Sequence, residues 1–393
     1  MKRVLPIIVI SQFLCTSLWF AGNAIMPDIA QRYHIEPTFL GHITSAVQLG
    51  FITGTLAFAV FTIADRFSPV HVFFTASIAA SLCNAGMSMD GISLSALLVF
   101  RFLTGFFLAG IYPVGMKIAS DHFQKGLGRS LGFLVGALVL GTAFPHLLKS
   151  FTLHLPWRSV LYATSVLSLV GGACMLLFVP NGPHRKPGQK IRLTAFLSGF
   201  KNASFRGAAF GYFGHMWELY TFWAFIPVMV ATYLRYHPGT DLNISFIAFL
   251  VIGIGSIGCA SGGLLSQRFN TRNVAGLALF SSGLCCLLSP LVLLYAPVWL
   301  LVPFLLIWGM MATADSPLFS TLVAQNAPGE SRGTALTIIN CLGFAITIVS
   351  IQVIQALMKE SNAVYIYLML APGPLFGLLA LFYKRKAAGI EPE

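Results

Sequence analysis

Few residues in this chain can do chemistry, and where they fall says more than how many there are. Of the 12 Asp and Glu residues, only Glu218 and Asp315 stand inside long apolar runs; the other ten lie in polar connections or near the chain ends. Arg101 sits in a third apolar run, and His215 precedes Glu218 by three residues. An ionisable group in hydrocarbon is costly unless it is paired or wetted, so such groups mark ion or solute pathways. A carboxyl at that depth can take up and release a proton as its access to water changes, which makes Glu218 and Asp315 candidates for proton exchange. His215, at i and i+3 from Glu218 on a helix, is placed as a relay or hydrogen-bond partner. Arg101 keeps its charge and so needs a permanent partner or an anionic ligand. It either pairs with one of the acids and tunes the exchange, or faces the solute and binds a carboxylate or phosphate. Asp315 also has a local reading as a turn or cap, because Ser316-Pro317 follows it.

Aromatic and amide side chains surround these charges. Trp19 and Asn23 share a helix face at i and i+4, Tyr112 follows Arg101 by eleven residues, and Trp217, Tyr220 and Trp223 flank Glu218. Together they offer stacking and hydrogen bonds to an organic solute, although each is also a common packing or interfacial residue. The seven cysteines lie in apolar stretches without ligand spacing, so neither a metal site nor a disulfide framework is expected. Gly-x-x-x-x-Gly-Lys-Ser/Thr is absent and no nucleophile–base cluster is visible, so no cofactor and no enzymatic activity are expected. Gly132 and Gly136, with Gly253, Gly255, Gly258, Gly262 and Gly263, read as close-packing surfaces between helices.

The elements that hold these residues must be membrane spans. Only 9% of the chain is charged and 56% is apolar, against about a quarter charged in soluble domains. At about 20 residues per span, 393 residues accommodate twelve helices with short loops. The expected fold class is an all-α membrane protein with twelve transmembrane helices in two pseudo-symmetric six-helix bundles. The bundles cover 1–180 and 207–393, joined by a polar, basic linker at 181–206. Lys2 and Arg3 open a retained first span on this reading, not a signal peptide. Glu218 then lies about 16 Å into the seventh span and Arg101 about 14 Å into the fourth, both near the middle of a core about 30 Å thick. The net charge of +12 reflects loop asymmetry and not nucleic-acid binding: 17 of the 24 Lys and Arg residues fall on the side of the N-terminus, linker and tail, and 5 on the other. Both termini are therefore expected in the cytoplasm.

The two halves echo each other. Phe61-Thr-Ile-Ala-Asp-Arg-Phe-Ser-Pro-Val70 after the second span and Gly263-Leu-Leu-Ser-Gln-Arg-Phe-Asn-Thr-Arg272 after the eighth are offset by 202 residues. Gly105 with Tyr112-Pro113 is matched by Gly309 with Ser316-Pro317 at an offset of 204, and Arg129 by Arg332 at 203. Parallel halves with a solute site between them are a recurrent transporter design.

These residues resemble the major facilitator superfamily along nearly the whole chain. Ile63-Ala64-Asp65-Arg66 keep the centre of that family's loop after span two, Gly-x-Leu-Ala-Asp-Arg-x-Gly-Arg-Arg, while Phe61, Ser68, Pro69 and Val70 depart from it. The second copy keeps Gly263, Leu265, Arg268 and Arg272 and has Gln267 in place of the acid. The resemblance implies a conformational latch formed by Asp65, Arg66, Arg268 and Arg272. Arg101 with Gly105 resembles the family's span-four Arg-x-x-x-Gly, whose Arg is linked to proton coupling, and Pro328-Gly-Glu-Ser-Arg-Gly333 resembles its connection after span ten. The span-five antiporter signature is not reproduced: Leu140 and Gly141 stand where Gly and Pro belong. In that family, spans one, four, seven and ten line the cavity, and the candidates above fall in those four spans.

The expected function is proton-coupled secondary transport of a small organic solute by alternating access. Uptake is favoured because the antiporter signature is missing, and an organic anion is favoured because Arg101 suits one. A carboxylate-bearing metabolite or a polycarboxylate siderophore fits. The expected partners are the solute, protons and membrane lipid, with the chain acting as a monomer in a bacterial inner membrane. The alternatives are a proton-driven efflux pump and, from another class, a non-transporting membrane receptor.

Overall fold

Hydrocarbon offers backbone groups no water to bond, so a spanning segment must satisfy them internally, and the chain does this with helices. The computed structural model describes residues 4–35, 39–123, 127–151, 156–185, 193–329 and 332–383. Lys2, Arg3, Lys125, much of the basic linker, Glu330 and the basic tail lie outside them. Among the described residues there is no strand.

Twelve spans follow in order. Span one is built from Val4–Thr16, Ala21–Ala24 and Met26–Tyr33; span two is Phe39–Val60, span three Pro69–Gly86, and span four Leu94–Leu108 with Tyr112–His122. Spans five and six are Leu127–Phe151 and Arg158–Phe178. The second bundle runs through span seven at Ala203–Tyr236, span eight at Ile244–Gly253 with Gly255–Arg268, and span nine at Thr271–Tyr295. It ends with span ten at Val298–Ala314 and Ser316–Asn326, span eleven at Arg332–Leu357, and span twelve at Ile366–Leu370 and Pro372–Phe382. Eight of these are long and apolar enough to cross a membrane on length and composition alone. The other four depart for visible reasons. Span one is unwound over residues 17–20, span three carries His71 and Asn84 within 18 residues, span seven carries His215 and Glu218, and span twelve opens as a 3-10 turn.

The repeat seen in the sequence is a repeat of packing. A Cβ on Gly105 would strike the carbonyl of Val47 in span two, and one on Gly309 the carbonyl of Val251 in span eight. Likewise Gly54 packs on the carbonyl of Phe106, and Gly258 on that of Met310. Each residue and its counterpart are 204 positions apart. Small residues let the helix backbones touch, which is how apolar helices gain cohesion where lipid competes for apolar surface. Spans four and ten also break at matching places: at residues 109–111 before Tyr112-Pro113, and at Asp315 before Ser316-Pro317. A proline in the first turn after each break is tolerated, because those N–H groups have no intrahelical acceptor. The bundles meet along two seams, span two against span eleven and span five against span eight.

Candidate functional site

A cavity of about 610 Å³ lies between the bundles. Its walls come from spans two, four, five, seven, ten and eleven, and include Tyr112, Tyr212, Tyr220, Trp223 and Phe344 among the aromatics and Thr55, Thr313 and Asn340 among the polar residues. Exposed Ser320, Thr321, Gln325 and Arg332 mark its mouth, on the side where spans ten and eleven meet the connection at 327–331. Arg332 is the only charged residue among the lining residues. The volume suits a small organic molecule, and the wall suits one with a flat apolar body and a few hydrogen-bonding groups.

At the opposite end the cavity is sealed twice. Trp19 and Phe51 of the first bundle pack on Phe344 at 5.7 and 4.7 Å, Trp19 packs on Tyr220 at 6.0 Å, and Phe20 reaches Trp223 at 6.3 Å. Beyond this aromatic seal, spans two and eleven are zipped by side chains. Thr347 donates to Gln48 Oε1 at 2.5 Å, Gln352 to Ser45 Oγ at 2.8 Å, and the Gly41 N–H to Gln355 Oε1 at 3.2 Å. Sequence reasoning did not single out the zipper residues or Phe20, Phe51 and Phe344. The signal was present in the amides: Gln48, Gln352 and Gln355 stand inside apolar runs, but nothing in the sequence says that spans two and eleven face each other.

Span seven carries two buried ionisable residues of the second bundle, His215 and Glu218, and span ten carries a third, Asp315. Glu218, 1% exposed, accepts from Trp308 Nε1 at 2.7 Å, Ser282 Oγ at 2.8 Å and Cys286 Sγ at 3.4 Å. It faces spans nine and ten, and its partners are neutral donors. His215 does not turn to Glu218; its Nδ1 lies 2.9 Å from Asp315 Oδ1 at the break in span ten. Asp315 makes no side-chain cap of the following helix. Thr313 and Ser316, on either side of Asp315, line the cavity, so the His215–Asp315 pair stands just behind its wall.

Arg101 takes neither of the courses read from the sequence. Fully buried, it donates to the carbonyl oxygens of Leu18 at 3.1 Å and Trp19 at 2.5 Å. The turn at residues 17–20 leaves the Leu18 carbonyl a long bond from the Ala21 N–H at 3.4 Å, and a guanidinium is the side chain best shaped to reach it and the Trp19 carbonyl together. Gly22 leaves the room: a Cβ there would stand 3.0 Å from Arg101 Nε. Asn23 donates to Thr44 Oγ1 at 2.7 Å, tying span one to span two away from the cavity. Trp217 points outward, donating to the Met369 carbonyl at 2.9 Å in a groove with Phe213 and Phe376. Of the aromatic candidates, Tyr112, Tyr220 and Trp223 line the cavity, and Trp19 sits behind them in the seal.

Residues 8–351 match the family model described as Major Facilitator Superfamily. The chain belongs to this family. A niacin transporter of Acinetobacter baylyi is 32% identical over 162 residues, 35% of this chain and 36% of the relative. A 4-hydroxybenzoate transporter of Pseudomonas aeruginosa is 22% identical over 360 residues, covering 81% of this chain and 77% of the relative. An uncharacterised MFS-type transporter of Bacillus subtilis is 22% identical over 180 residues, 45% of this chain and 43% of the relative. The chain thus spans less than half the length of the first curated relatives it matches. The crystal structure of the human organic anion transporter MFSD10 superposes with a TM-score of 0.74 at 14% identity over 97% of this chain and 99% of that one, which establishes a shared fold.

Within the superfamily fold, each latch candidate is placed in its own half. Asp65 pairs with Lys117 at 2.8 Å, and Arg185 at the start of the linker donates to the carbonyls of Asp65 and Phe67 at 2.7 and 2.6 Å. Arg272 donates to the Leu381 carbonyl and lies over the Phe382 ring at 5.2 Å. Arg66 and Arg268 are exposed.

Proposed function

We propose that the chain is a proton-coupled secondary transporter that carries a small aromatic organic acid by alternating access. The observation that carries this reading is the cavity between the bundles, open on one side and closed on the other by an aromatic seal and a hydrogen-bonded zipper. Taking the side of the linker as cytoplasmic, as the Lys and Arg distribution favours, the conformation is inward-open and the protein is a bacterial inner-membrane monomer. The niacin and 4-hydroxybenzoate relatives and the aromatic wall together support a flat acid as solute. A polycarboxylate such as a siderophore fits less well, since Arg332 at the mouth is the one basic group among the lining residues. Arg101, held by backbone carbonyls, no longer argues for an anion.

Proton exchange is assigned to Glu218 and to the His215–Asp315 pair. Glu218 has three neutral donors and no counter-ion among the described residues, so its charge can change without breaking an ion pair. His215 and Asp315 join span seven to the break in span ten, so protonating either one changes the bond between two spans that must move during rocking. Uptake is the assigned direction, because span five lacks the antiporter signature. Reconstituted protein should exchange radiolabelled 4-hydroxybenzoate or nicotinate by counterflow and accumulate one of them under an imposed pH gradient. Glu218→Gln should keep counterflow and lose accumulation. Accumulation by Glu218→Gln equal to that of the unmodified protein would remove Glu218 from the coupling. No counterflow of any aromatic acid would remove the solute class.

A further inference from the structure

The seal above the cavity contains polar groups that its closing function does not require. Trp19 and Trp223 are 0% and 1% exposed, and neither indole Nε1 has an acceptor among the described residues. His146 of span five is 2% exposed, its ring 6.4 Å from that of Phe20, and its Nε2 is unpartnered too. A buried donor without a partner gives up its hydration and gets nothing back. Phenylalanine could fill these positions without that cost, and Phe20, Phe51 and Phe344 in the same seal demonstrate it. The indoles therefore offer something beyond their shape.

Their position suggests what. Both rings pack on Tyr220, at 6.0 Å for Trp19 and 5.1 Å for Trp223, and Trp223, Tyr220 and Phe344 also form the inner wall of the cavity. Trp19 comes from span one and Trp223 from span seven, so each bundle contributes one N–H. The geometry points to the indole N–H groups of Trp19 and Trp223 as the recognition site for the hydrogen-bond-accepting end of the solute, its carboxylate. The solute's ring stacks against Tyr220 and Phe344, and the carboxylate takes one N–H from each bundle as the seal parts. Two neutral donors can hold a carboxylate without a fixed cation, through the stronger hydrogen bonds that an ionised acceptor makes. A ligand that bridges the bundles also biases their relative position, because it binds differently when the two donors are held apart. This inference rests on the aromatic-acid reading above and adds the residues that read the acid.

The test uses full-length protein in lipid nanodiscs, with sodium benzoate and benzyl alcohol as probes. The two share a ring and differ in the strength of the acceptor. Trp19→Phe and Trp223→Phe should each weaken benzoate binding by about 10-fold or more and change benzyl alcohol binding by less than about threefold. Trp299→Phe, an exposed tryptophan outside the seal, should leave both unchanged. Equal losses for the two probes would assign the indoles to packing alone and overturn the inference, as would benzoate binding that both variants leave intact. If either variant fails to fold, the carboxylate stretch of 13C-labelled benzoate bound to the unmodified protein decides the matter. A shift from the aqueous value is expected, and an unshifted band would overturn the inference. If the unmodified protein binds no benzoate, the aromatic-acid reading falls and takes this inference with it. Benzoate binding with no effect of either variant sinks the inference alone.

Discussion

In the first bundle the buried charge of Arg101 is fixed on the carbonyls of Leu18 and Trp19. At the matching position of the second bundle, 204 residues on, stands Leu305, fully buried and apolar. The second bundle instead buries Glu218 among three neutral donors and sets Asp315 against His215. The helix contacts that position these groups are shared, glycine for glycine, between spans two and four and spans eight and ten. The repeat therefore fixes the scaffold and leaves the chemistry free to diverge. The guanidinium, which cannot shed its proton, serves the turn that interrupts span one, while the carboxyls and the imidazole, which can, have no fixed cation among the described residues.

The shared scaffold can be broken symmetrically. Gly105→Leu and Gly309→Leu each drive a side chain into a backbone carbonyl, and both should abolish folded yield by size-exclusion chromatography; a tolerated Leu at either site would break the equivalence. Arg101→Leu should come next. It removes the guanidinium donors from the Trp19 carbonyl and from the Leu18 carbonyl, which keeps the 3.4 Å bond from the Ala21 N–H; at about 1–3 kcal/mol for a stranded buried group, thermal melting will register a marked loss of stability. Arg101→Lys should recover only part of it, because an ammonium lacks the fork that reaches both carbonyls.

Glu218→Gln should move stability little, since the amide oxygen still accepts from Trp308 and the amide NH2 can donate to the Ser282 hydroxyl, while abolishing pH-gradient-driven accumulation. That pairing of a stability defect in one bundle with a coupling defect in the other sharpens the contrast. Gln48→Ala with Thr347→Val removes one rung of the zipper, worth about 1 kcal/mol. Spin labels on the adjoining ends of spans two and eleven should then report a roughly fivefold larger population of the separated state. The smallest effect is expected at Asp90. The Arg158 guanidinium holds this exposed carboxyl below the usual carboxylate range through a direct hydrogen bond. A depressed value stabilises the folded state above the unfolded value of about 3.9 and loses that contribution as pH falls through the folded value. Asp90→Asn should lower Tm at pH 7 by no more than about 2 °C, with the difference closing as the pH is lowered through that range.

Much of the architecture was legible in the residues. Apolar run lengths yielded twelve spans, and glycine and proline at fixed offsets revealed the repeat, because both signals depend on local sequence alone. Glu218, Asp315, His215 and Arg101 stood out because ionisable groups in hydrocarbon are rare. Their partners did not stand out. The unwound turn at residues 17–20 contains neither glycine nor proline, so nothing announced the carbonyls that Arg101 would meet. Helical spacing suggested that His215 and Glu218 would meet, yet spans nine and ten offered each a better partner. Trp217 sits beside Glu218 in sequence and faces span twelve instead of spans nine and ten, because each residue on a helix turns the side chain by about 100°.

The sequence by itself determined that this chain lives in lipid, how many times it crosses, that its halves are related, and which side chains are too costly to bury without a use. Only the tertiary structure decided which of those side chains face the cavity, which serve the backbone, and which residues close the far side. The first set follows from transfer energies and periodicity, which act residue by residue. The second depends on which helix faces are brought together from positions far apart in the chain, from 64 residues between Glu218 and Ser282 to 299 between Gln48 and Thr347.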